Sequence, residues 1–308
     1  MKDSWPELKF AEWQDTLATL HMWTQVVGKI RLELTPLVNH WWNVPLYISA
    51  RGLTTTAMPY SDDRVFEIEF DFIDHKLRIV CSDGATRVLD LRPQSVADFY
   101  AEVMAALAEL GIEVKIWTMP VEVPNPVRFT EDHDHKSYDA DYVNRFWHAL
   151  VKMDEVLKEF RARFIGKVSP VHFFWGSFDL AVTRFSGRPA PEREGADLIT
   201  REAYSHEVIS HGWWPGSKDM EAAFYSYTTP EPAGLANTVA EGRIKPPLTF
   251  YSVEMKEFFL LYDDVRKADR PETALMDFCQ TTYEAGADLA SWDRAALERS
   301  LHSRSSGA

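Results

Sequence analysis

Cysteine is scarce: Cys81 and Cys279 are the only two in 308 residues. So few thiols cannot build a disulfide framework, and they suit a reducing compartment, so the expected location is cytoplasmic. Long apolar runs are missing as well. No stretch approaches the roughly 18 uninterrupted apolar residues of a membrane span. The opening Met1–Trp13 also has no apolar core of signal-peptide length. Basic charge is outweighed, with 33 Lys+Arg against 47 Asp+Glu and a net charge of −14. A field of that sign repels phosphate backbones and anionic headgroups, so neither nucleic acid nor membrane is an expected partner. No Walker loop, GxGxxG or CxxC pattern occurs, which leaves nucleotide and zinc-ribbon readings without support.

Aromatic residues are plentiful, at 13% with 11 tryptophans. Trp is large and costly to leave in water, so these residues fill cores, line a cleft or meet a partner.

Along the chain, Phe10, Trp13, Leu17, Leu20 and Val27 recur at helical spacing, and Gly28 is expected to stop that helix. After Pro36, the run His40–Ser49 has strand composition interrupted by Pro45, which marks an edge strand or two short pieces. Arg64–Phe72 alternates cleanly and predicts a half-buried strand. Turns at Asp74-His75 and Ser82-Asp83-Gly84 divide it from strands at Lys76–Cys81 and Val88–Leu91. Ser95 caps a predicted helix ending before Gly111, and Ile112–Trp117 reads as a further strand. Residues 119–138 carry Pro120, Pro124 and Pro126 and read as a linker. A second long helix begins near Asp139 and ends by Gly166. Val171–Phe185 is strand-like, Tyr204–Trp214 follows between polar loops, a strand lies near Ala222–Tyr227, and a last helix spans Pro271–Leu289. His302–Ala308 is expected to be disordered.

The two halves align with one another. Val27-Gly28-Lys29-Ile30 matches Ile165-Gly166-Lys167-Val168, and Thr35-Pro36-Leu37 matches Ser169-Pro170-Val171. Arg92-Pro93 matches Arg270-Pro271, and Asp98-Phe99 matches Asp277-Phe278. The order predicts an α+β protein of two tandem related repeats, each an antiparallel strand meander flanked by helices, packed about a pseudo-twofold axis. The expected divisions are 1–118, a linker at 119–138, 139–292 and a tail at 293–308.

This register makes the His40-Trp41-Trp42 strand the counterpart of the strand carrying His172 and Trp175-Gly176-Ser177-Phe178-Asp179. The expected site is an aromatic, His-lined crevice between the repeats that holds a small molecule. Its candidate lining is His40, Trp41, Trp42, His172, Trp175, Ser177, Asp179, Arg184, His206, Glu207 and His211. Ser177 with Asp179 and a histidine invites a nucleophilic triad, but the second glycine of a nucleophile elbow is absent. Arg51, Arg184 and Arg188 stand beside glycine turns and are candidates either for an anion or for local pairing with acids. His206-Glu207 and His211 supply metal-ligand types, yet the spacing is not HExxH. On a helix His206 and His211 would sit about 140° apart and share no metal; on a strand His206 points away from Glu207 and His211, and a site would need completing from elsewhere, for instance by His172. Three readings stand together: a small-molecule enzyme or binder, a non-catalytic interaction or oligomer-forming protein, and a metal-dependent enzyme.

Several segments resemble an uncharacterised bacterial family known as DUF5996. Among them are Leu20-His21-Met22-Trp23-Thr24-Gln25-Val26-Val27-Gly28-Lys29, Val38-Asn39-His40-Trp41-Trp42 and Trp175-Gly176-Ser177-Phe178-Asp179-Leu180. Ala203-Tyr204-Ser205-His206-Glu207-Val208-Ile209-Ser210 extends the likeness, which covers nearly the whole chain. The resemblance implies a bacterial cytosolic protein and carries no activity or catalytic residue.

Overall fold

The computed structural model describes residues 5–61 and 63–299, so the expected disorder of His302–Ala308 lies outside the described residues. Helix and strand are mixed, and the chain divides into two compact units. The first comprises Met1–Val38, Trp42–Val151 and Phe173–Asp179; the second comprises Asn39–Trp41, Lys152–His172 and Leu180–Ala308.

In the first unit, helix α1 (Phe10–Leu34) precedes six strands: β1 (Tyr47–Ile48), β2 (Gly52–Thr54), β3 (Met58–Ser61), β4 (Arg64–Asp71), β5 (Lys76–Cys81) and β6 (Thr86–Asp90). They form one antiparallel sheet in the order β1-β2-β4-β5-β6, with β3 also pairing to β4. Alternation decides which way β4 faces. Phe66, Ile68 and Phe70 are buried, while Glu67 and Glu69 accept hydrogen bonds from Thr54 and Ser49 on the other side. Helix α2 (Val96–Glu109) covers the apolar face, its Phe99 stacking on Trp23 of α1 at 4.6 Å and meeting Phe70 at 6.4 Å. Ser95 caps α2 by accepting from the Asp98 amide, 3.0 Å away. Arg51, a candidate for anion capture, is already paired with Asp71 and Asp74.

Three expectations fail here. Gly28 does not end α1, which continues six residues further to Leu34. The glycine instead leaves room for a ring described below. His40-Trp41-Trp42 is not a strand: Asn39–Trp41 is one 3-10 turn, with His40 and Trp41 both in the left-handed region at φ 58° and 60°. Ile112–Trp117 alternates in burial but pairs with no strand.

Helix α3 (Ala140–Ala162), N-capped by Asp139, which accepts from the Tyr142 amide at 3.0 Å, passes from the first unit into the second. The short β7 (His172–Phe174) spans the next boundary between them. In the second unit, strands β8 (Asp179–Pro189), β9 (His206–Gly216), β10 (Glu221–Thr229), β11 (Phe250–Ser252) and β12 (Glu257–Leu261) run antiparallel in the order β11-β12-β10-β9-β8. Two short helices, α4 (Leu198–Ala203) and α5 (Asn237–Ala240), lie in the loops, and α6 (Tyr262–Arg266) follows β12. Helix α7 (Pro271–Leu289) packs on β9 and β10, with Pro271 in its first turn, before a last short helix α8 (Arg294–Leu297).

Candidate functional site

The richest polar cluster of the first unit begins on α1. His21, Gln25 and Lys29 are four residues apart and so share one face of the helix. Gln25 uses both ends of its amide on one residue. Its Nε2 donates to the Val121 carbonyl at 2.8 Å, and its Oε1 accepts from the Val121 amide at 2.9 Å. The side chain thus does for Val121 what a neighbouring strand would do, and it fixes the segment carrying Trp117 and Glu122.

The turn between β7 and β8, Trp175–Asp179, supplies the rest. Trp175 donates from Nε1 to the Val44 carbonyl at 2.8 Å, and its ring lies flat against Gly28. His21 Nε2 donates to the Gly176 carbonyl at 2.8 Å. A Cβ at position 176 would come within 2.5 Å of Glu122 Oε1, so the carboxyl in its present place lies directly against the glycine. Ser177 donates to Asp179 Oδ1. Both Glu122 (φ 56°) and Phe178 (φ 57°) are left-handed, a strained state for residues with a Cβ. Phe178 is held there by His21, Phe146 and Phe173, with ring centroids 5.1, 5.4 and 5.0 Å away.

Three titratable groups here are displaced. Burial lowers the His21 imidazole to about 4 and keeps it neutral near pH 7. Glu122 is exposed as a residue, but desolvation of its carboxyl and then the Asp179 carboxylate push it up. Burial lowers the Lys29 amine to about 8. Lys29 is 5% exposed, and its Nζ stands 4.8 Å from the Trp117 ring centroid and 5.9 Å from that of Trp175. It makes no hydrogen bond or ion pair among the described residues. Trp117, by contrast, is 64% exposed.

Of the residues selected from sequence, Trp175, Ser177 and Asp179 belong to this cluster, and Trp42 lies in the same unit, half-buried. His40, Trp41, His172, Arg184, His206, Glu207 and His211 belong to the second unit. There, His40 and His206 come together with ring centroids 5.7 Å apart. His40 donates from Nδ1 to the Glu202 carbonyl at 3.0 Å and accepts at Nε2 from Lys167, 2.5 Å away. Burial and then the Lys167 charge lower its pKa, so it is a neutral acceptor.

The remaining candidates are committed elsewhere. His211 is fully buried beside Phe160 and hydrogen-bonded to Thr282 Oγ1 at 3.0 Å, with its pKa driven well below the ordinary value by burial and then by Arg184. Arg184 is 1% exposed, donates to the Phe160 carbonyl and stacks on Phe160 and Tyr283. Glu207 accepts from Ser186 and Arg188, which accounts for both residues. His172 is also buried, at 1% exposure. Among the described residues no three His, Cys, Asp or Glu side chains converge as a metal ion requires, so His206, Glu207, His211 and His172 form no such group. None of the selected residues lines the second unit's pocket of about 450 Å³, whose floor is the Tyr204–Tyr227 phenol pair, 3.0 Å apart.

His21, Gln25, Lys29, Trp117 and Glu122 were not selected from sequence. The legible signal was the polar stripe at every fourth position through an apolar helix.

No helix of the described residues is long and apolar enough to cross a membrane. No curated protein matches this chain and no solved structure does. A family model of unknown function matches residues 5–299, and the chain belongs to that family, DUF5996.

Proposed function

We propose that the first unit binds and acts on a small polar molecule at the Trp175–Asp179 turn. The carrying observation is Glu122, held in a left-handed conformation with its carboxyl against Gly176 and within the field of Asp179. A carboxyl whose proton affinity is raised by burial and by a neighbouring carboxylate is the usual equipment of general acid–base chemistry, and backbone strain gathers at such places. In this reading Glu122 carries the proton, Asp179 and Ser177 orient the ligand's polar groups, and Trp175 and Trp117 form its apolar wall. His40 and His206 are a second polar pair, in the second unit.

The test is a thermal-shift screen of small polar metabolites on the full chain, repeated with Glu122→Gln. A ligand that stabilises the wild type and binds at least 10-fold more weakly to the variant supports the reading. A library without ligands, or ligands indifferent to the substitution, removes it and favours an interaction protein whose tryptophans serve packing.

We also infer that the chain arose by duplication within a cytoplasmic bacterial lineage. In support, each half enters an antiparallel meander from a long helix and leaves it by a helix. Phe99 in Asp98-Phe99 and Phe278 in Asp277-Phe278 are both fully buried. Both cysteines are buried free thiols. Superposing the two sheets in strand order should bring Phe99 onto Phe278; a random placement of the two rings refutes the duplication.

A further inference from the structure

We propose that Lys29 is an amine nucleophile that condenses with the carbonyl carbon of a small aldehyde or ketone to form an imine. This rests on the reading of the adjoining turn as a small-molecule site and names the substrate class.

Every residue from Met22 to Arg31 on α1 is buried, and Lys29 sits inside that stretch. Buried cations elsewhere in the chain have partners: Arg31 donates to Thr56 Oγ1 at 3.1 Å, and Arg184 donates to the Phe160 carbonyl. Lys167, which occupies the equivalent place in the second Gly-Lys pair, donates to His40. Lys29 has only two indole faces. A charged amine there gives up hydration without gaining a carboxylate, in a chain that carries 47 of them. The indole faces hold part of the charge but replace no carboxylate, so the share of neutral amine, whose lone pair is the nucleophile, is larger than for an ordinary lysine.

Trp117, whose ring centroid lies 4.8 Å from Nζ, is 64% exposed, so the amine stands one ring away from solvent. With a pKa of about 8 in place of 10.5, the free-base fraction at pH 7 rises roughly 300-fold over an ordinary lysine. In the step, the Nζ lone pair forms the C–N bond and the carbonyl π pair moves to oxygen. Both amine protons leave with that oxygen as water, so no oxidant or reductant is consumed.

Glyoxylate with sodium cyanoborohydride is the probe. Its aldehyde forms the imine, and the added hydride donor reduces it to a stable secondary amine. The full-length protein is labelled at pH 7.5 and mapped by peptide mass spectrometry. Lys29 is expected to be modified at least 10-fold faster than the exposed Lys9, Lys158 and Lys267, with a rate that rises to a plateau through a midpoint near pH 8. Labelling of Lys29 at or below the rate of those lysines overturns the proposal. If Lys29 stays unlabelled while ligands still distinguish wild type from Glu122→Gln, the imine fails and the small-molecule site survives. If Lys29 labels rapidly but Glu122→Gln changes nothing, the acid–base role fails instead.

Discussion

The indole of Trp175 occupies the space that a side chain at position 28 would fill: a Cβ there would lie 2.3 Å from Cδ1 and 2.4 Å from Cγ and Cδ2. A glycine in mid-helix ordinarily costs about 1 kcal/mol relative to alanine. Here it admits a ring that its Nε1 bond to Val44 prevents from stepping aside.

Gly28→Ala should therefore destabilise the protein by about 1–3 kcal/mol, because overpacking outweighs the helix propensity gained. Urea unfolding measures it. A variant as stable as the wild type would mean that the ring has somewhere to go.

Lys29→Met should do the opposite and stabilise the fold by roughly 1–3 kcal/mol at pH 7. The folded-state pKa lies below the unfolded value, so the unfolded chain binds the proton more tightly. Wild-type stability from this group accordingly rises between about pH 8 and pH 10.5, and the advantage of Met shrinks over the same interval. Denaturation at pH 7 and pH 10 compares them. A destabilised Met variant would show that the amine supports the fold.

His21 sets an acid limit. Its imidazole is held at about 4 against 6.5 unfolded, so its contribution is complete above pH 6.5 and is lost as pH falls to 4. The loss should be roughly 1–3 kcal/mol. His21→Gln, which does not titrate, should flatten that part of the stability profile; an unchanged slope would assign the decline to other groups.

Asp71 is a structural test away from the site. Burial would raise its carboxyl, but Arg51, the Asp74 and Ile73 amides and Arg78 hold it at about 2. Asp71→Asn leaves two guanidinium groups facing an amide and should cost about 3 kcal/mol or more. Equilibrium unfolding that shows a change below 1 kcal/mol would mean that the arginines simply turn to solvent.

Much of the architecture can be read from the chain because local rules govern it. The alternation in Arg64–Phe72, the Ser95 cap and the Pro271 start each specify an element without reference to distant residues. The misses share the opposite property. Gly28 is an end signal for a helix unless a ring from beyond residue 170 packs on it. Ile112–Trp117 has a strand's pattern, and only the missing partner disqualifies it. The left-handed pair His40-Trp41 has strand composition, yet it is held by Glu202 and Lys167.

The site divides in the same way. Trp175, Ser177 and Asp179 were visible because they cluster within five residues. Lys29 and Glu122 are 93 positions apart in the sequence, and only the folded chain shows that both surround Trp175-Gly176.

One glutamine side chain holds the main chain at Val121. Both of Val121's backbone bonds go to that one side chain, while Thr118, three residues before it, gives its carbonyl to the Phe129 amide at 2.9 Å. Glu122 follows Val121 directly and Trp117 precedes Thr118, so loosening the Gln25 amide frees the Glu122 side first and leaves the Trp117 side on its Phe129 bond. The helix that holds Val121 also carries Lys29 one turn further on, so the two share a single support.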